Sequence, residues 1–206
     1  MDRFVIIGGS GHCASVISSV PDKNLIFGII DKNAGSVMGI NIIGDDSEIE
    51  NVIKSGIKSF HIAVGDNKNR QRLHNELVGR GMTAVTIIDK SAVVCVSAVL
   101  GAGTFVGKNA VVNARAIVGA SCIVNSGAII EHDCVVESFC HCAPGSVMLG
   151  DAKIEEAVFL GANSTLLPKI VVAQNVVIGA GSVVTKNIRD AGAVYFGVPA
   201  KPYKEV

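Results

Sequence analysis

One histidine stands between two carboxylates at Glu131-His132-Asp133. An imidazole that titrates near neutral pH can take a proton from an attacking nucleophile, and a carboxylate beside it fixes its tautomer and orientation. The trio therefore reads as a general base with its orienting acid. The bland alternative is a solvated histidine at a chain reversal. Asn125 and His141 bracket the trio as further polar breaks in a stretch of mostly small or aliphatic residues. A second cluster, Gly8-Gly9-Ser10-Gly11-His12, follows the apolar run Phe4–Ile7. The pattern Gly9-x-Gly11-x-x-Ala14 after a strand brings a helix N-terminus and its backbone N–H groups close to a phosphate. Asp31 lies twenty residues past Gly11 at a strand end. An acid there commonly meets a ribose hydroxyl in dinucleotide folds. A plain strand–helix turn has the same composition, so the glycines alone decide nothing.

Two regimes must position these groups. Residues 1–88 alternate strands and helices: a strand at Phe4–Ile7, a helix over residues 12–20, a strand over 25–30, and a helix over 47–55 with Ser47 as N-cap. A strand over 60–64, a polar-faced helix over 68–80 with Leu73, Leu77 and Val78 inward, and a strand over 84–88 complete it. This is the βαβ pattern of a small parallel sheet, Rossmann-like but too short for a complete dinucleotide site.

Residues 89–206 follow a different rule. Val94, Leu100, Val106, Val112, Val118, Val124, Ile130, Val136, Cys142, Met148, Ile154, Leu160, Leu166, Val172, Ile178 and Val184 recur every six residues, all aliphatic or Met except the cysteine. Two positions earlier stands a mostly small residue, as at Ala92, Ala110, Cys122, Ala128 and Cys140. The position after the aliphatic is often Gly or Asn, as at Gly101, Gly107, Asn113 and Gly119, which suits a tight backbone corner. Each hexad makes one short strand and one corner, and three hexads close a coil. The stretch predicts about five stacked coils with the aliphatics on the axis. The register places His132 at an outward corner.

Composition excludes several classes. Among 206 residues, 18 Lys+Arg balance 18 Asp+Glu, which argues against nucleic-acid binding and a polybasic membrane anchor. Apolar stretches break well short of a membrane span, and MDRFVIIGG is too short an apolar run for a secretory signal, so a cytoplasmic chain without membrane insertion is expected. Six cysteines then read as free packing thiols. Cys140-His141-Cys142 lacks the further ligands of a zinc set, and no metal is expected.

The hexads resemble the left-handed parallel β-helix acyltransferases, and Val194 to Pro202, VYFGVPAKP, is similar to their short terminal segment. The glycine cluster, Asp31-Lys32 and Ala63-Val64-Gly65-Asp66-Asn67 ahead of the repeats resemble the nucleotide-amino-sugar N-acetyltransferases and the related sialic-acid O-acetyltransferase-like group. The resemblance implies a homotrimer that moves acetyl from acetyl-CoA to the 4-amino group of a nucleotide-linked sugar, with O-acetylation of sialic acid as the alternative. It sets Gly11 and His12 by the diphosphate, and Asp31, Lys32, Gly65 and Asp66 by the base and ribose. Asn125 would meet the acceptor sugar, and His132 would be the base with Asp133, or Glu131, beside it. His141 would lie on the acetyl-CoA side. Corner amides could hold the thioester oxyanion, and Gly150 and Gly161 both remain open for that role. A zinc enzyme of the β-helix carbonic anhydrase type lacks a third repeat histidine. A non-catalytic nucleotide-sensing trimer would leave the Glu131-His132-Asp133 cluster without a purpose.

Overall fold

A computed structural model describes residues 2–203. The N-terminal part holds β1 (Phe4–Ile7), α1 (Gly11–Ser19), β2 (Ile26–Ile30), β3 (Ser36–Val37), β4 (Ile40–Gly44), α2 (Ile49–Lys54), β5 (Ser59–Ile62), α3 (Asn67–Gly79) and β6 (Thr83–Ala84). The strand order is β3-β4-β2-β1-β5-β6, parallel except for the β3–β4 hairpin. All four residues of β1 are buried because both faces of the sheet are covered. Phe4 and Ile6 pack toward α1, and Val5 and Ile7 toward α2 and α3.

Four sequence expectations change here. Val78 is exposed rather than inward, because it stands one residue past Leu77 and so about 100° further round α3. Ser47 is not a helix cap: the Asp45 side chain accepts from Ser47 N, and a 3₁₀ turn at Asp46–Glu48 leads into α2. The β3–β4 hairpin lies outside the sequence reading: β3 is too short to show a period, and β4 (Ile40–Gly44) alternates between half-buried and exposed residues. The expected strand over 84–88 is two strands: Ala84 pairs with Phe60, whereas β7 (Ile87–Ile88) pairs with Phe105–Val106.

From β7 onward the chain is a left-handed β-helix. Two-residue strands stack into three parallel sheets, and pairs such as Val111↔Ile129 hold a register of 18 residues per coil. The axial column is closed to solvent from Val106 to Val184, and the small residues two positions earlier, including Cys122, Cys134 and Cys140, form a second inward column. These cysteines are core atoms, and burial pushes the Cys134 thiol up to about 11.

The tight corner sits elsewhere than expected. Positive φ recurs three residues after the axial aliphatic, at Gly103, Asn109, Arg115, Ser121, Gly127 and Asp133. The glycines directly after the aliphatic serve close approach instead. A Cβ on Gly101, Gly119 or Gly161 would stand 2.5 Å from a backbone nitrogen of the next coil.

The two parts share a core. One face of the prism presents an outward column with a period of 18, and its lower members Ile87, Phe105 and Ile123 pack beside Phe4, Ile6 and Val16. Higher members are His141 and Phe159, paired directly on successive coils.

Candidate active site

The glycine loop is shaped by Gly8 and Gly9. Gly8 adopts φ +100° with Val64 and Ala63 against it, and Gly9 N donates to Asp31 Oδ2 at 2.7 Å. Asp31 Oδ1 also accepts from the Asn33 amide and side chain. Partial burial raises the Asp31 pKa, but these hydrogen bonds outweigh it and hold the group below its ordinary value. Asp31, Lys32, Asp46, Asn69 and Arg72 border a cleft of about 250 Å³ at the carboxyl ends of the strands. This is where open α/β sheets bind ligands. Gly11 opens α1 with space around it. His12 turns away from the cleft: its ring meets Phe105 edge-on at 5.1 Å, and Nε2 is buried without a hydrogen-bond partner. Burial, then His61, His141 and Arg70, push the His12 pKa down to about 3.

A second cleft, of about 390 Å³, lies between the start of α3 and the prism, bordered by Gly65, Asp66, Lys68, Phe159, Asn175 and Val177. The turn Gly65-Asp66-Asn67 separates the two clefts. Asp66 caps α3 by accepting from Asn69 N at 2.8 Å, and Asn67 Nδ2 donates to the Ala157 and Val158 carbonyls of the prism. The fully buried Arg70 docks the domains. Its guanidinium donates to the carbonyls of Val64, Gly65, Ser121 and Phe139 and to Asn67 Oδ1. Sequence reasoning missed Arg70, although a charge on the Leu73–Leu77 stripe of α3 was its signal.

His141 sits beside this turn. Its Nδ1 is 3.3 Å from Gly65 O, which only accepts, so Nδ1 carries the proton, and Nε2 receives Asn125 Nδ2–H at 3.2 Å. Burial, then Arg70, lower its pKa to about 4, so it is neutral at physiological pH. Both ring nitrogens thus serve this network.

His132 occupies an exposed corner. Nδ1 is 2.7 Å from Asp133 Oδ2, which fixes the Nδ1–H tautomer and leaves Nε2 with its lone pair. Asp133 also receives a two-pronged bond from Arg115, Nε to Oδ1 at 2.7 Å and Nη2 to Oδ2 at 2.8 Å. Hydrogen bonds from Arg115, then His132, hold the Asp133 carboxyl well below the usual range. Glu131 turns to the backbone, with Oε2 3.4 Å from His132 N. Gly150, one coil on, lies under the imidazole. Gly161 is no equivalent, because its N–H is donated to Ile178 O at 2.7 Å. Arg115 also escaped the sequence reading, although it stands one coil period before Asp133.

The chain does not gather all of its candidate residues. His132 and His141 are nine residues apart, half of an 18-residue coil, and face opposite sides of the prism. Asn125 is one hexad before Glu131, a third of a turn away, and stays with His141. Among the described residues no three His, Cys, Asp or Glu side chains are placed to hold a metal ion, and no helix is long and apolar enough to cross a membrane.

A family model described as the PglD N-terminal domain matches residues 3–77, and one described as bacterial transferase hexapeptide (six repeats) matches residues 151–186. No curated protein matches the sequence. A mutant of perosamine N-acetyltransferase from Caulobacter crescentus, solved with CoA and GDP-perosamine, is 32% identical with a TM-score of 0.95, covering 100% of this chain and 98% of that one. The acetyltransferase domain of PglB from Neisseria gonorrhoeae, solved with acetyl coenzyme A, is 30% identical with a TM-score of 0.90, covering 98% of each chain. WeeI from Acinetobacter baumannii, at 20% identity and a TM-score of 0.86, shares the fold. The α/β domain, the hexad prism and these full-length likenesses together show that the chain belongs to the nucleotide-amino-sugar N-acetyltransferases of the hexapeptide-repeat acyltransferase superfamily.

Proposed function

We propose that the protein transfers acetyl from acetyl-CoA to the 4-amino group of a nucleotide-linked deoxy-sugar, with His132 as general base. The observation that carries this reading is the His132 imidazole, held by Asp133 through Nδ1 at 2.7 Å and presenting Nε2 at an exposed corner over Gly150. The sugar amine attacks the thioester carbonyl carbon while Nε2 takes the amine proton. The carbonyl oxygen gains charge, and the Gly150 N–H beside the imidazole is its proposed donor. Collapse breaks the C–S bond, and the imidazolium returns its proton to the CoA thiolate. Products are the N-acetyl sugar and CoA thiol.

The nucleotide half belongs in the cleft bordered by Asp31 and Lys32, and the relative that holds GDP-perosamine with CoA supports this class of acceptor. Because His132 and the Gly65–His141 side lie on opposite flanks of one prism, the complete site forms between copies, and the assembly proposed is a homotrimer. The acceptor-binding part and the transfer part meet between β6 and β7, at residues 85–86, a little before the boundary near 88 that the sequence suggests. Six free cysteines, five of them buried, suit the cytoplasm, which also supplies both substrates.

The test is CoA-thiol release from acetyl-CoA with a panel of nucleotide-linked 4-amino-sugars and with free sialic acid. Turnover restricted to the amino-sugars supports the reading, and turnover of sialic acid alone overturns it.

A further inference from the structure

The repeat places Arg115 and Asp133 one coil apart in the same corner, with nearly equal left-handed φ of 59° and 62°. Their side chains leave the backbone in the same direction, and the guanidinium grips both carboxylate oxygens. Asp133 Oδ2 is then shared between Arg115 Nη2 at 2.8 Å and His132 Nδ1 at 2.7 Å. We propose that Arg115 is a positioning residue for the His132–Asp133 pair. Its fork sets the plane of the carboxylate and limits how strongly that carboxylate draws a proton onto the imidazole.

As an exposed ion pair the contact adds little stability. Its geometry is what matters, because a planar fork fixes a carboxylate that would otherwise rotate about its own torsion. Its charge matters as well. A lone carboxylate against an imidazole stabilises the imidazolium, whereas one shared with a guanidinium does so less. Other charged groups at this corner are Glu131, whose carboxylate approaches the His132 amide, and Asp151 on the following coil, in the column of Arg115 and Asp133. Lys169 stands one coil beyond Asp151 in the same column, and Arg115 is the cation in contact with Asp133. Ser97 Oγ accepts from the Arg115 backbone N–H at 3.1 Å and anchors the turn.

The proposal rests on His132 being the general base, and its test separates the two. The titration of His132 is followed by ¹⁵N NMR on the intact protein, with H132N giving the assignment, beside turnover of acetyl-CoA with GDP-perosamine and a UDP-linked 4-amino-sugar. In R115Q the His132 midpoint moves up, because the carboxylate is no longer shared, and turnover falls about tenfold, a part of the roughly 10²–10⁴-fold that a base supplies. R115K, which keeps the charge and loses the fork, leaves the midpoint in place and lowers turnover less. In a D133N background R115Q adds no further loss, as a residue acting through Asp133 requires. An unmoved midpoint in R115Q overturns the proposal, whether or not activity falls with thermal stability. A full additional loss in D133N overturns it too. A moved midpoint together with normal turnover in H132A would instead remove the base assignment and leave the Arg115 coupling standing.

Discussion

A Cβ on Gly150 would stand 2.6 Å from both Cε1 and Nε2 of His132, the reactive edge of the ring. The glycine thus makes room for the imidazole and brings a backbone amide to its side. The obstacle is the end of a mobile side chain, so Gly150→Ala folds with a thermal midpoint near that of the parent while turnover falls about tenfold or more as the ring is displaced. Gly161→Ala behaves oppositely. Its Cβ would meet the Ala180 backbone nitrogen at 2.5 Å, and overpacking a coil stack costs about 1–3 kcal/mol. Thermal melts and turnover on the two variants check the contrast, and equal melting losses would contradict it.

His132→Ala retains the fold, because the side chain is exposed at a corner and carries no core packing. Its kcat drops by roughly 10²–10⁴ with both substrates still bound, the usual contribution of a positioned base. Steady-state kinetics with calorimetry checks this. Near-normal kcat would pass the role to Glu131.

Sharing of the site between copies has its own readout. His132→Ala and Asp31→Ala variants, the second assayed at nucleotide-sugar well below its weakened affinity so that each alone is nearly silent, are unfolded, mixed in equal amounts and refolded. Random trimers then recover about a quarter of parental turnover, because a quarter of neighbouring pairs combine one intact half-site of each kind. No recovery above the separate variants would place both half-sites in one chain.

Asp31→Ala removes the carboxylate that holds the Gly9 and Asn33 amides. Hydrogen bonds to a charged group are worth about 1.5–3 kcal/mol. Nucleotide-sugar affinity therefore falls about 10- to 100-fold through the disordered loop, and acetyl-CoA affinity stays within about twofold. Calorimetric titration with each ligand measures it, and equal losses for both would refute the assignment of this cleft.

Stability depends on pH through the buried histidines. Burial holds His61 down to about 4 and His141 to about 4, and His12 lower still. In the unfolded chain each protonates near pH 6.5. Between about pH 6.5 and 4 the unfolded state therefore binds more protons, and stability falls as pH falls through that window. For the fully buried His61 the loss reaches up to about 3 kcal/mol at the acid end. Urea midpoints from pH 7.5 to 4.5 test this. His61→Gln flattens the dependence, and a curve already flat in the parent would exclude it.

The hexad period is a local rule, since each two-residue strand is built from its own six residues. The sequence alone therefore determined the prism, its axial column from Val94 to Val184, of which Val94 and Leu100 at the first coil are only partly buried, and the corner position of His132. The His132–Asp133 pair was legible for the same reason: adjacent residues in one turn meet wherever that turn is placed. Contacts across coils and between domains obey no local rule. Arg115 reaches Asp133 only because 18 residues close one coil, and Arg70 finds its carbonyls only because α3 docks against the prism. The need for glycine at Gly101 or Gly161 comes from the neighbouring coil, which a single hexad does not contain. Tertiary structure also parted what the sequence set side by side. Nine residues between His132 and His141 look like proximity along the chain, but they are half a turn of the prism and leave the two imidazoles on opposite flanks.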